Sequence, residues 1–131
     1  MLIDTSGWFS IMDDTDHRYD TAKRYIQTAR VRLTHSYVIA ELTALSHARG
    51  IAKESLVRVT NEILDDPKVE VIWADESLTM RAWSLLQDRQ DKNWSLCDSV
   101  SFVLMNQLGI TEALTTDHHF EQAGFIKLLE S

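Results

Sequence analysis

Two acidic residues follow short apolar segments that have the pattern of buried strands. Asp4 comes directly after Leu2-Ile3, and Asp117 comes after Leu114-Thr115-Thr116. Because the carboxyl ends of parallel strands meet at one edge of a sheet, where ligands bind, we expect the two carboxylates to lie close together. A simple helix cap formed by Asp4, Thr5 or Ser6 is an equally ordinary explanation of the first of them.

Two further acids occur within predicted helices. Glu41 lies among Val38, Leu42 and Leu45, in a stripe whose spacing predicts a core-facing side. An unpaired carboxylate there would cost several kcal/mol, so Glu41 requires a cation, hydrogen-bond donors or a raised pKa. Asp98 falls in the first turn of a largely apolar helix. The segment Ser95-Leu-Cys-Asp98 also fits a capping box, so a structural role explains Asp98 about as well as a functional one.

The four acids are more informative as a set than singly. Four carboxylates that converge on one sheet edge repel each other and raise each other's pKa values unless a cation lies between them. Ligation by oxygen alone favours Mg²⁺ or Mn²⁺ over Zn²⁺. Such a cation lowers the pKa of a bound water and stabilises the phosphoryl transition state, which makes hydrolysis of phosphodiester bonds the natural hypothesis.

Predicted strands and helices alternate along the chain, which indicates a three-layer α/β domain with a mainly parallel sheet. Ser36 and Ser95 are expected to cap helices, Asp75 or Ser77 to begin another, and Gly50 and Gly109 to end helices. The predicted strands cover residues 2–3, 31–34, 69–73, 112–115 and 125–129. The predicted helices cover residues 7–12, 17–29, 37–49, 52–64, 75–86, 95–108 and 117–123.

The composition is that of a globular protein forming a single domain over residues 1–131, with 44% hydrophobic and 25% charged residues. Neither a signal peptide nor a membrane-spanning segment is predicted, and the single Cys97 weakly favours an intracellular, cytoplasmic location. The net charge of −7 argues against a nucleic-acid partner, unless several acids are gathered around a cation. Arg49, Lys53 and Arg58 could guide RNA or could be isolated surface charges.

Four short motifs occur along the chain in this order: Leu-Ile-Asp4-Thr-Ser, Ala-Glu41-Leu, Trp-Ser-Leu-Cys-Asp98-Ser-Val-Ser-Phe and Leu-Thr-Thr-Asp117-His-His-Phe-Glu-Gln-Ala-Gly-Phe. These motifs resemble those of the PIN-domain nucleases, and their size and spacing are most similar to the VapC-type ribonuclease toxins of prokaryotic toxin-antitoxin pairs. Together they span nearly the whole chain.

The resemblance implies a five-stranded parallel sheet, cleavage of RNA with Mg²⁺ or Mn²⁺, frequent homodimers and inhibition by a cognate antitoxin protein. The acids implied to bind metal are Asp4, Glu41, Asp98 and Asp117, with Thr5, Ser6 and Thr116 in supporting roles. One departure is His119, which occupies a position where many relatives carry another acid, so a second metal would be held more weakly or not at all. Trp8, Phe9 and Met12 could belong to a dimer or partner surface or to the core.

Three other functions remain as alternatives. A stand-alone PIN-type nuclease that processes RNA would share the same acids. A phosphoacceptor receiver domain would share the layered α/β architecture. It would place paired acids after the first strand and an aspartate after the middle strand, whereas this chain has Asp4 alone and ends its middle strand in Trp73-Ala74-Asp75. A protein-binding module without catalysis would not need all four acids.

Overall fold

The computed structural model describes residues 1–131, which form one five-stranded sheet with helices on both faces. Every neighbouring pair of strands is parallel, and the order across the sheet is β3-β2-β1-β4-β5. The strands are β1 (Leu2–Ile3), β2 (Leu33–His35), β3 (Glu70–Ile72), β4 (Glu112–Leu114) and β5 (Ile126–Lys127). The expected three-layer fold with a parallel five-stranded sheet is therefore confirmed.

Seven helices connect the strands. They are α1 (Thr5–Met12), α2 (Tyr19–Thr28), α3 (Ser36–Ser46), α4 (Lys53–Asp65), α5 (Glu76–Asp88), α6 (Leu96–Leu108) and α7 (His119–Gln122). Each predicted element is present, and most differences in its ends are of one to three residues. None of the helices is long and apolar enough to cross a membrane.

The two faces of the sheet bury separate apolar clusters because successive side chains of a strand point to opposite sides. In β1, Ile3 packs with α1, α2, α3 and α4, whereas Leu2 packs with Phe102 and Met105 of α6 and Phe120 of α7. The neighbouring strand β4 follows the same alternation. Both faces of β1 are thus covered, which explains why so short a strand is fully buried.

The central position of β1 determines where the chemistry can occur. The chain passes from β1 to β2 on one side, while β4 pairs with β1 on the other, so the strand order changes direction beside β1. A crevice forms outside the carboxyl ends of the strands at such a point. Asp4 follows β1 at this edge, and its backbone N–H donates to the carbonyl of Leu114 at 3.1 Å, which continues the ladder between β1 and β4.

The structure changes or decides three local interpretations of the sequence. Ser36 does not cap α3, because His35 holds the cap position and the Ser36 hydroxyl accepts from the backbone N–H of Ala74 at 2.9 Å. Of the two possibilities open for Trp8 and Phe9, a partner surface and the core, the structure shows the core, since they are only 3% and 5% exposed.

The third interpretation concerns α3. The residues expected to form one core-facing stripe lie instead on two sides of the helix, one buried and one facing solvent. Val38 and Leu42 are fully buried, whereas Glu41 is partly exposed and Leu45 is 43% exposed. Glu41 and Leu45 face a surface cleft rather than the core. The need to compensate a fully buried Glu41 charge therefore disappears.

Candidate metal centre

Asp4 is the most deeply buried acid of the site, with 4% of its surface exposed. Its Oδ2 accepts a hydrogen bond from the hydroxyl of Thr115 at 3.0 Å, but its Oδ1 is buried without any partner. Burial is the main cause that raises the pKa of Asp4 to about 7, and the nearby charges of Asp98 and Glu41 contribute to this rise. A buried carboxylate oxygen without a donor costs free energy of folding, so this atom is a candidate ligand for a cation.

A chain of hydroxyl groups connects the two strand ends. The backbone N–H of Thr116 donates to Ser6 Oγ at 2.9 Å, and Ser6 Oγ lies 3.1 Å from Thr115 Oγ1. Thr115 has one hydroxyl proton and uses it toward Asp4, so Ser6 must be the donor to Thr115. Thr115 Oγ1 also accepts from the backbone N–H of Asp117 at 3.0 Å. Every proton in this chain points toward Asp4, which fixes the orientation of its carboxylate.

Asp98 satisfies both explanations that the sequence left open. Its backbone N–H donates to Ser95 Oγ at 3.0 Å, and the backbone N–H of Ser95 donates to Asp98 Oδ2 at 3.1 Å, which completes a capping box at the start of α6. The same Oδ2 lies 3.0 Å from Nδ1 of His119. Burial raises the pKa of Asp98, as does the charge of Asp117, while the cap and His119 oppose the rise.

The remaining two acids, Glu41 and Asp117, line a cleft at this edge of the sheet. The cleft has a volume of about 260 Å³. Its lining residues come from the start of α1, from α3 and the turn after it, and from the end of β4: Asp4, Thr5, Ser6, Phe9, Glu41, Leu45, Arg49, Thr116 and Asp117. Asp117 Oδ1 accepts from the backbone N–H of His119 at 2.9 Å and lies 3.4 Å from its Nδ1. His119 therefore contacts both Asp98 and Asp117.

Cys97 adds a sulfur atom beside the acids. Its Sγ and the carboxylates of Asp4 and Glu41 offer ligand atoms within 4.8 Å of one another. Burial raises the pKa of the thiol, and the charges of Glu41, Asp4 and Asp98 raise it further. The group is therefore a neutral thiol in the metal-free protein, which matches its interpretation as a small buried side chain.

Comparison with known proteins identifies the fold family of this arrangement. The PIN domain family matches residues 1–126. This chain belongs to the PIN-domain family. The family match argues against a phosphoacceptor receiver.

Similar proteins cover nearly the full length of this PIN domain. The 23S rRNA-specific endonuclease VapC20 of Mycobacterium tuberculosis is 29% identical over 129 residues, in both strain CDC 1551 / Oshkosh and strain H37Rv. The alignment covers 98% of this chain and 97% of the relative. The crystal structure of VapC20, described as a sarcin-ricin loop cleaving toxin, superimposes with a TM-score of 0.84 over 96% of both chains.

The donor set of the PIN domain fits a divalent cation. Asp4 Oδ1 has no hydrogen-bond donor, and Glu41 and Asp117 line the same cleft. The raised pKa values of Asp4 and Asp98 show that the metal-free site disfavours their negative charge, as expected for ligands that a cation would stabilise.

The supporting residues differ from the expectation in one respect. Ser6 belongs to the hydroxyl chain, and Thr5 Oγ1 is buried without a partner. The Thr116 hydroxyl makes no hydrogen bond, and only its backbone N–H takes part. Thr115 holds Asp4 instead. The role of Thr115 could be inferred only from the register of β1 and β4. Residues at the same level of neighbouring parallel strands lie side by side, but the sequence does not state which residues share a level.

Proposed function

We propose that this protein is a divalent-metal-dependent endoribonuclease that hydrolyses RNA phosphodiester bonds as the toxin of a toxin-antitoxin pair. The observation that carries the proposal is the buried, unpaired Oδ1 of Asp4, surrounded by the charges of Glu41 and Asp98. Such an arrangement is costly for folding unless it serves a cation. Membership of a nuclease family and similarity to an RNA endonuclease support the same conclusion.

The residues that would hold Mg²⁺ or Mn²⁺ are Asp4, Glu41, Asp98 and Asp117. When bound, such a cation makes water a stronger nucleophile and stabilises the negative charge that develops on the phosphoryl group. Thr115 and Ser6 keep the Asp4 carboxylate in one orientation, and the capping box does the same for Asp98. The protein thus positions its ligands before the cation arrives, which lowers the cost of forming the site.

The similarity to VapC20 supports a choice of substrate. We propose 23S ribosomal RNA as the first candidate substrate, because VapC20 is named for its specificity for this RNA. We also propose that the protein acts in the cytoplasm and is inhibited there by a cognate antitoxin protein.

Association with other chains requires apolar surface other than Trp8 and Phe9. Trp73 is 65% exposed, and Met80 and Trp83, which lie three residues apart on α5, are 52% and 44% exposed. Exposed large apolar side chains of this kind are common in protein interfaces. We propose a homodimer, to be tested by light scattering of the purified protein and of a Trp83→Ser variant.

The decisive experiment incubates intact ribosomes and an unstructured labelled RNA with the protein in Mn²⁺, in Mg²⁺ and in excess EDTA. We expect cleavage with either cation, none in EDTA and recovery when metal is restored. Asp4→Asn should lower the cleavage rate by at least about a hundredfold, since the metal supplies several kcal/mol of transition-state stabilisation.

The matched control is Asp65→Asn, at an exposed acid where α4 ends and the chain leads to the amino edge of the sheet. It should cleave at the wild-type rate. Cleavage that continues in EDTA, or an Asp4→Asn variant that is fully active, would refute the proposal.

A further inference from the structure

One side of α3 leads from the candidate metal centre to the surface. Glu41 and Leu45 are four residues apart on α3, and Arg49 follows four residues later in the turn that ends it. The helical geometry continues that far, because the backbone N–H of Arg49 still donates to the carbonyl of Leu45 at 3.2 Å. The three side chains therefore form a stripe along one cleft wall, with an acid, an apolar group and a cation in that order.

The guanidinium of Arg49 is held in place without using its hydrogen-bond donors. It lies over the ring of Phe9, with Cζ 4.1 Å from the ring centroid. Phe9 is itself buried, so the aromatic surface is a fixed one. The side chain of Arg49 makes no hydrogen bond, and no carboxylate lies within 4.0 Å of it, which leaves five N–H donors for a ligand.

Charge distinguishes Arg49 from the other residues of the cleft. It is the only lysine or arginine among the lining residues, which also include three acids. An RNA strand that approaches this edge of a protein with a net charge of −7 meets repulsion unless cations compensate it. A planar guanidinium with free donors matches a phosphate group, which it can bind through two parallel hydrogen bonds.

We propose that Arg49 binds a backbone phosphate of the RNA that neighbours the cleaved phosphodiester bond. Leu45 then provides an apolar wall for the nucleoside between that phosphate and the cleaved bond. This inference rests on the proposed ribonuclease function and adds a substrate-positioning residue to it. A positive charge on the wall of the cleft lowers the repulsion that an RNA strand would meet from the acids beside it.

A structural role for Arg49 makes different predictions. A cation near the end of α3 interacts favourably with the helix dipole, so removing it would lower the stability of the protein slightly. That role would leave the salt dependence of RNA binding unchanged. The two roles are therefore separable by experiment.

The test compares wild type with Arg49→Ala, Arg49→Lys and the control Arg58→Ala, whose side chain is 66% exposed on α4 and lies 3.7 Å from Glu62. Cleavage of a labelled RNA with Mn²⁺ is measured as kcat/KM over a series of salt concentrations, and binding of the same RNA is measured by fluorescence anisotropy in EDTA. Mn²⁺ binding to each variant is measured by calorimetry.

We expect Arg49→Ala to lower kcat/KM about tenfold, mainly through KM, and to reduce the slope of log affinity against log salt by about 0.7, the value for one phosphate contact with a single strand. Arg49→Lys should keep the slope and recover part of the affinity. Arg58→Ala should match wild type, and Mn²⁺ binding should be retained in all variants.

An Arg49→Ala variant with the wild-type slope and KM would overturn the inference while leaving the ribonuclease function intact. A wild-type protein that cleaves no RNA with Mn²⁺ would instead refute the proposed function. In that case the anisotropy slopes of wild type and Arg49→Ala still decide whether Arg49 contacts phosphate.

Discussion

At the scale of single residues, the site depends on groups that have two roles at once. Asp98 completes the cap of α6 and also faces His119 and the other acids. Both roles use Oδ2, which leaves Oδ1 available for a ligand. A substitution can separate the roles, because asparagine retains an oxygen that accepts from Ser95 but has no negative charge.

We expect Asp98→Asn to unfold at or above the wild-type temperature without metal, because it removes one of several repelling carboxylates. The same variant should show a smaller stabilisation by Mn²⁺ and a loss of RNA cleavage by orders of magnitude. Thermal unfolding with and without Mn²⁺, together with the cleavage assay, measures all three effects.

Ser95→Ala is the matched control, since it breaks the cap but leaves the charge of Asp98. It should lower the stability by about 1 kcal/mol and retain the Mn²⁺ shift. If Asp98→Asn behaves like this control and still cleaves RNA, Asp98 is a cap alone.

Thr115 and Thr116 provide a second matched pair. Thr115→Val removes the donor to Asp4 and the acceptor for Ser6 and Asp117, so it should lower the free energy of unfolding by about 2 kcal/mol. Loss of such an orienting partner should reduce Mn²⁺ affinity and activity on the order of 10- to 100-fold. Calorimetry and the cleavage assay test this.

The Thr116 hydroxyl makes no hydrogen bond, so Thr116→Val should remain close to wild type in stability and in Mn²⁺ affinity. Equal losses in both variants would contradict the assignment of the orienting role to Thr115.

At the scale of elements, the site depends on how closely α1 approaches β4. Gly7 allows this approach, because a Cβ atom at this position would overlap the backbone carbonyl oxygen of Leu114. Its dihedral angles are not in the left-handed region, so the reason for glycine is space and not backbone conformation. The contact brings Ser6, one residue earlier, within reach of Thr115.

Gly7→Ala tests this packing. Alanine ordinarily stabilises a helix relative to glycine by up to about 1 kcal/mol. Here the overlap with rigid backbone should dominate and give a net loss of about 1 to 3 kcal/mol. We also expect weaker Mn²⁺ binding, since α1 would shift Ser6 away from Thr115. Chemical denaturation and calorimetry measure the two effects, and a variant more stable than wild type would contradict them.

At the scale of the whole molecule, two buried groups give opposite contributions to the pH dependence of stability. The folded pKa of Asp4 is raised to about 7, so its contribution to the stability of the protein is lost as the pH rises from about 4 to 7. Burial lowers the pKa of His35 to about 4, so its contribution is lost as the pH falls from about 6.5 to 4. The two slopes cancel in part.

We expect Asp4→Asn to remove the contribution of Asp4 to the first slope, to leave the smaller contribution of Asp98, whose pKa is also raised, and to leave the second slope. Its gain in stability over wild type should be greatest above pH 7, on the order of 4 kcal/mol for a shift of about three pKa units, and should shrink toward pH 4. Urea denaturation in EDTA across this range measures the difference. A difference that does not vary with pH would show that Asp4 is ionised throughout, at its ordinary pKa.

The sequence alone determined the features that depend on neighbouring residues. The alternation of strands and helices, the caps at Asp75 and Ser95 and the left-handed Gly109 all follow from local patterns, because each involves residues only a few positions apart. The positions of Asp4 and Asp117 at one sheet edge could also be inferred, since parallel strands leave only one arrangement of their carboxyl ends.

The tertiary structure alone decided which side chains meet. Thr115, and not Thr116, faces Asp4 because β1 and β4 pair with Ile3 opposite Leu114, a register that joins residues 111 positions apart. The burial of Trp8 and Phe9 depends in the same way on packing against helices that come later in the chain. The division of α3 into a core side and a cleft side depends on where the elements packed against it end. The spacing of apolar residues within one helix does not contain this information.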